Sequence, residues 1–270
     1  MKPAGILSST PAKLAAALGL VSLYTFGLRP RMVRWGATPE EIDEPFPGAN
    51  IIPGGTRSGT MAITIDAPPP NVWAYLVQMG VDRGGWYSWD NLDNWGRTST
   101  DHVHPEWQEV KLGDRFYSMP DKSQWWEVAA LEPEHFLGLR VAIDLHGHWF
   151  DPNGKKPEHY TDSIWGFLLK PLPGNRTRLI VSGYWDLQPK WLQLPASFFL
   201  LEPSHWIMQM RQFTKLKHLA EADYHAELEQ RSGHTALRTL RRRSKVSGTL
   251  EQRRRQGESS SIGQPWQPQL

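Results

Sequence analysis

Clean alternation of apolar and polar residues first occurs at Met61-Ala-Ile-Thr-Ile65, the period-two pattern of a half-buried strand. Asp66-Ala67 and the run Pro68-Pro69-Pro70 close it. Proline fits the first turn of a helix, where its missing N–H costs nothing. Val72, Leu76 and Met79, with Trp73 and Val77 beside them, then recur at helical spacing until Gly80 stops the helix. Strand patterns return over Asp114–Ser118, Gln124–Leu131, Phe136–Ile143, Ser163–Lys170 and Arg178–Trp185. Turn signals at Met119-Pro-Asp, Glu132-Pro-Glu and Pro173-Gly-Asn separate them, and the last two strands read as a hairpin looped over Pro171–Thr177. From Pro203 to about Gln230, the positions Trp206, Met210, Phe213, Leu216 and Ala220 mark one apolar stripe of a long helix. A strand, a helix, several antiparallel strands and a long helix against the sheet make an α+β domain.

The two ends differ from this middle. Leu14–Leu28 carries no charge and is flanked by Lys13 and Arg29, which makes residues 1–31 a candidate membrane anchor, short of the roughly 20 apolar residues a span prefers. The competing reading is a helix of the domain itself. Thr25-Phe-Gly-Leu-Arg29 offers no small-x-small cleavage site, so a removed leader fits poorly. On insertion, Arg29, Arg31 and Arg34 outweigh Lys2 and Lys13, placing the domain in the cytoplasm at the inner face of the cell membrane. Residues 32–56 read as an extended lead-in rich in Pro and Gly, and 57–231 as the domain. Residues 232–270 read as a disordered tail whose Arg238, Arg241, Arg242, Arg243, Lys245, Arg253, Arg254 and Arg255 face the single acid Glu251. The formal net charge of +2 over 270 residues therefore hides a slightly acidic body.

Chemistry concentrates between Val72 and Gln108. Trp73, Trp86, Trp89, Trp95 and Trp107 interleave there with Gly84-Gly85, Asp82, Asp90, Asp93 and Glu106. Rigid indoles with one donor each, beside a tight turn and carboxylates, suit a concave apolar site with a few polar groups. They suit an aromatic core with acidic loops as well. The chain has no cysteine, which excludes a disulfide framework, a thiolate metal site and a cysteine nucleophile.

Several words carry a resemblance: Arg34-Trp-Gly-Ala-Thr-Pro-Glu-Glu, Ala67-Pro-Pro-Pro-Asn-Val-Trp, Val77-Gln-Met-Gly, Arg83-Gly-Gly-Trp-Tyr-Ser-Trp-Asp, Pro105-Glu-Trp-Gln, Leu112-Gly-Asp and Leu201-Glu-Pro-Ser-His-Trp. Over about residues 32 to 225 the chain resembles the SRPBCC superfamily, in particular its bacterial polyketide cyclase/dehydrase-like branch. The resemblance implies a START-like, helix-grip fold: a curved antiparallel sheet wrapped around a long C-terminal helix, enclosing a deep apolar cavity. It names a container and not its contents, since such families include lipid carriers, ring cyclases and receptors. The excursion from Asp144 to Thr161 is longer and richer in His than the family pattern, and the basic tail is additional.

On that fold, Trp125, Trp165 and Tyr184 are strand aromatics that alternation allows to face inward. Trp86, Tyr87, Trp89 and Asp90 follow the Gly-Gly turn, Trp107 lies in the next word, and His205 and Gln209 share one face of the last helix. These residues form the candidate ligand-binding set for a hydrophobic or aromatic small molecule, lipid- or polyketide-like, held by a carrier or sequestering protein. The alternative is an enzyme of the cyclase or dehydratase kind in the same cavity, with Asp82, Asp90, Glu106 and His205 as acid–base candidates. No pair among them is singled out by spacing, and no nucleophile elbow or phosphate loop is present. Asp144, His146, His148 and His159 are weighed as metal ligands, but Gly147, Pro152 and Gly154 favour a solvated loop, so neither metal nor cofactor is expected. The Arg tail lacks interleaved aromatics for base stacking, which favours an anionic membrane surface over nucleic acid as its partner.

Overall fold

The computed structural model describes the backbone of residues 10–259 and the side chains of residues 11–233. Two units divide after Ala222. The first opens with α1 (Thr10–Ser22), a π-helical stretch Leu23–Leu28, α2 (Arg29–Val33) and α3 (Pro39–Asp43). Strands β1 (Thr56–Arg57) and β2 (Met61–Ile65) lead to α4 (Pro69–Val77) and the short α5 (Asp90–Asp93). Then come β3 (Arg115–Tyr117), β4 (Trp125–Glu132), β5 (Phe136–Asp144), β6 (Tyr160–Leu172) and β7 (Arg176–Gln188). A short helix α6 (Lys190–Ala196) and a π-helical turn Ser197–Leu201 precede α7 (Glu202–Ser259). The α+β order expected from the sequence is present.

One seven-stranded antiparallel sheet runs β1-β7-β6-β5-β4-β3, with β2 also pairing β7. Its two faces are told apart by strand parity. One face, called outer here, carries Ile164, Gly166 and Leu168 of β6 with Ile180 and Tyr184 of β7, and is covered by Phe46 from the lead-in. Gly138 and Gly166 are direct cross-strand partners, and the rings of Phe46 and Phe136 lie over them. A Cβ on Gly166 would sit 2.7 Å from Phe46 Cε1 and 2.9 Å from Phe136 Cε2. Glycine is thus required by the rings above it. We expect Gly166→Ala to cost about 1–3 kcal/mol, as overpacking does, read as a lowered urea midpoint at unchanged slope. Loss below a few tenths would mean that the rings move aside freely.

The opposite, inner face carries Leu137 and Leu139 of β5, Trp165, Phe167 and Leu169 of β6, and Leu179 and Val181 of β7. Helix α4 lies over β6 and β7. Helix α7 meets the inner face through His205 against Trp165, and Gln212 reaches the Met79 sulfur and the Trp86 carbonyl. Further along α7, Phe213 stacks on Trp35, and Lys217 donates to the Thr64 carbonyl.

Three expectations change. The lead-in is more than extended chain: Thr38 and Glu41 form a reciprocal capping box on α3, and Glu41 receives Arg178 from β7 at 2.7 Å. Helix α7 does not stop near Gln230, and the segment 232–259, expected to be disordered, is helical to Ser259; residues 260–270 lie outside the described ones. Ala, Leu, Arg and Gln are strong helix formers, and no proline interrupts them there. Finally, α6 and its π turn were not foreseen.

Candidate functional site

The words after α4 fold into struts. Gln78 is buried, and its amide N donates to the Tyr87 hydroxyl at 2.6 Å and to the His102 carbonyl at 3.0 Å. Its carbonyl accepts from His104 N at 3.0 Å. Gly80 and Gly85 pair as a bridge, and Gly85 at φ +84° and Tyr87 at φ 58° turn the chain sharply. A Cβ at Gly84 would meet the Tyr87 hydroxyl at 2.6 Å. This turn ends in a loop fastened to α7. Gln212 donates to the Trp86 carbonyl at 2.9 Å, the Trp89 indole donates to the Ile207 carbonyl at 3.3 Å, and Lys215 stands 3.5 Å from Asp90.

Beneath that loop lies a group of aromatics on the inner face. The Trp165 ring centroid is 6.0 Å from Trp86, 5.6 Å from Trp126, 4.7 Å from Phe167 and 6.0 Å from His205. Burial along this face is graded. Phe167, Leu169, Leu179 and Val181 are sealed, whereas Trp165, Trp126, Ser163 and Val141 stay partly accessible although β6, β5 and β4 are interior strands. His205 above them combines two properties. It is exposed at its outer side, and desolvation by the protein around it lowers its pKa from 6.5 to about 4.

Polar groups of this region are incompletely used. Gln209, only 1% exposed, donates to Gln212 Oε1 at 2.9 Å, while its own Oε1 has no hydrogen-bond partner. The indole N–H groups of Trp165 and Trp206 are buried and unpartnered as well. Natural folds rarely leave such groups unsatisfied.

The candidates divide accordingly. Trp86, Trp165, His205 and Gln209 come together, and Trp89 and Asp90 stand at the rim, Asp90 accepting from Ser99. Tyr87 is a fully buried strut, its hydroxyl pushed above the ordinary tyrosine range by burial. Trp107 lies tilted against His104, ring centroids 4.2 Å apart. Trp125 and Tyr184 face the other side of the sheet: Trp125 stacks on Trp149 at 5.0 Å, and Tyr184 donates to the Phe46 carbonyl at 3.0 Å. Parity decides both, since the inward residue of the Trp125-Trp126 pair is Trp126, which meets Trp165. Among the acids, Glu106 is exposed beside His104, and Asp82 faces Lys122 at 3.3 Å. Asp144 accepts the backbone N–H groups of His146 and His148 at 2.8 Å each, which makes it a turn-former.

Asp93 is the acid that sequence reading did not single out for chemistry. Desolvation raises it to about 6, with repulsion from Asp90 adding and Ser88 and Lys215 opposing. Its Oδ1 has no partner. A carboxyl whose folded pKa lies above its unfolded value binds more protons when folded, so stability falls as pH rises from about 4 to 6 and stays low above. Asp93→Asn is therefore expected to raise stability at pH 7 by about 1–2 kcal/mol and to flatten this slope. Urea titrations of both proteins at pH 5 and pH 7 decide it, and equal midpoints at pH 7 would refute it.

No family model matches the chain, and no curated protein matches it. Solved structures do. MLL2253 from Mesorhizobium loti is 19% identical, covering 60% of this chain and 97% of its own, at TM-score 0.33. SA2116 from Staphylococcus aureus, a protein of unknown function, is 12% identical over 63% of this chain and 96% of its own, at TM-score 0.36. CalU16 from Micromonospora echinospora is 13% identical over 65% of this chain and 91% of its own, at TM-score 0.29. Scores in this range leave the site to be read from the chain's own residues.

Proposed function

We propose that this is a helix-grip, START-like domain that holds a hydrophobic or aromatic small molecule in the recess between its sheet and α7, as a carrier or sequestering protein. The observation that carries this reading is the inner-face aromatic cluster, in which the partly accessible Trp165 indole meets Trp86, Trp126 and the desolvated His205 imidazole. Apolar burial would supply the affinity, at roughly 25 cal/mol per Å² before the costs of association. The neutral imidazole and the unpartnered Gln209 Oε1 would orient an uncharged polar group on the guest.

Native mass spectrometry of the full chain in mild detergent tests this directly. A retained small molecule that displaces the neutral dye N-phenyl-1-naphthylamine is the expected result. Failure to bind the dye at all would end the proposal. The enzyme reading has one observation in its favour, an acid at Asp93 poised near neutral pH with a free oxygen. Incubating the recovered molecule with protein separates the two. An unchanged guest supports the carrier, and conversion that Asp93→Asn abolishes supports a cyclase or dehydratase.

A further inference from the structure

The surface of the first unit carries an apolar patch assembled from two segments distant in sequence. The first is the helical stretch Pro11–Val33, long and apolar enough to cross a membrane by length and composition. It exposes Leu14, Leu18, Leu20, Val21, Leu23, Phe26 and Leu28. The second is Lys190–Leu201, where Trp191, Leu194, Phe199, Leu200 and Leu201 are exposed, two of them by 75% and 71%. A monomeric soluble protein rarely shows contiguous apolar surface on this scale.

The two segments are fastened together. The Tyr24 hydroxyl donates to the Phe198 carbonyl at 2.7 Å, and the rings meet edge to face at 4.8 Å. Arg29 grips Glu202 with two hydrogen bonds of 2.6 and 2.8 Å, and its guanidinium lies 5.4 Å from the Phe198 ring centroid. Ser197 also donates to Glu202 at 2.6 Å. The charged pair marks a boundary. Arg29, Arg31 and Arg34 fall together at one end of the apolar helix, where an anionic headgroup layer would meet them. Tyr24 lies five residues deeper, about 7 Å along a helix axis. Its partner Phe198 shares that level, which is the depth at which interfacial segments rest.

We propose that Lys190–Leu201 is a second membrane-contacting element, entering the headgroup–acyl boundary of an anionic phospholipid bilayer beside the N-terminal helix. Because Glu202 and His205 open α7 directly after it, the recess would then stand next to lipid, and an apolar guest would pass between bilayer and recess without crossing water. Only this last step rests on the proposed ligand binding.

The absence of native cysteine makes the test clean. Phe199→Cys, Leu194→Cys, Leu18→Cys and Glu134→Cys are each labelled with nitrobenzoxadiazole in the full chain. The chains are reconstituted into phosphatidylcholine vesicles containing a minor share of phosphatidylglycerol. The labels at 199 and 194 are expected to be quenched by acyl-chain bromine and shielded from iodide several-fold relative to the label at 134. Iodide access at 199 and 194 equal to that at 134, with 18 shielded, would overturn the proposal. Shielding from iodide without bromine quenching would overturn it too, since that means protein, such as a second copy, covers the patch. Dye binding on the same vesicles reports on the recess separately, so the two proposals fail independently.

Discussion

Replacing Asp162 with alanine is expected to cost about 3–5 kcal/mol of stability, the range for removing one partner of a buried ion pair. Asp162 is 0% exposed, on the outer face of β6, and both its oxygens accept from Arg140 at 2.8 Å. Arg140 is itself only 8% exposed, so alanine would strand a guanidinium that water reaches poorly. Lys156 also reaches Asp162 at 2.9 Å, tying the excursion after β5 to the sheet. At about 2–4 °C per kcal/mol for a domain of this size, the thermal midpoint should fall by roughly 10 °C. The double change Arg140→Met with Asp162→Leu should recover most of that loss, because it removes the stranded charge with its partner. A double variant as unstable as Asp162→Ala would show that volume, and not charge, sets the effect. Directly across the ladder, Asp186 adds a pH dependence. Burial pushes its carboxyl up, but Lys190 at 2.6 Å and the Tyr160 hydroxyl at 2.6 Å leave it below the ordinary range. A depressed acid stabilises above its unfolded pKa, and that contribution is lost as pH falls through the folded value.

That ionic cluster also explains where sequence reading stopped short. The five strand patterns are present, yet β6 begins at Tyr160, three residues before the pattern does. Asp162 breaks an apolar alternation, and its pairing with Lys156 and with Arg140, 22 residues away, makes it an interior residue. The α3 helix was written as a capping box, Thr38-Pro-Glu-Glu41, but five residues leave no room for helical periodicity. In α6, Pro195 inside Lys190–Ala196 hides a helix behind a breaker signal. The site was legible where it depends on local spacing. His205 and Gln209, four apart, share a face whatever the rest of the chain does. It was illegible where it depends on parity: a register shift between Val128 and Ala130 and the ladder partner of each strand residue decide that Trp126 faces inward, and Trp125 and Tyr184 outward. Asp93 was visible as a residue, but its pKa comes from burial under a loop whose closure onto α7 no local word encodes.

The proposed recess predicts a specific pH profile. His205 stays neutral until about pH 4, so affinity for N-phenyl-1-naphthylamine should be level from pH 8 to about 5.5 and fall as the pH approaches 4, where an imidazolium would have to stand against the dye. His205→Gln should remove the fall. The same shift bears on stability. The folded pKa lies below the unfolded one, so the contribution is intact above about 6.5 and declines as pH drops from there toward 4. An inflection in dye binding near 6.5 would mean that His205 is fully hydrated and that no recess desolvates it. Trp165→Ala tests the wall of the same recess. Its indole is the common neighbour of Trp86, Trp126, Phe167 and His205, and central aromatic anchors of this kind carry about 2 kcal/mol or more of binding energy, roughly 30-fold in affinity. The outer-face tryptophan supplies the control. Trp125→Ala removes an indole of equal size from the same sheet and should leave dye affinity within about twofold, since Trp125 packs against Trp149 on the far side. Equal losses at the two positions would show that dye binding follows general loosening of the sheet and not the geometry around His205.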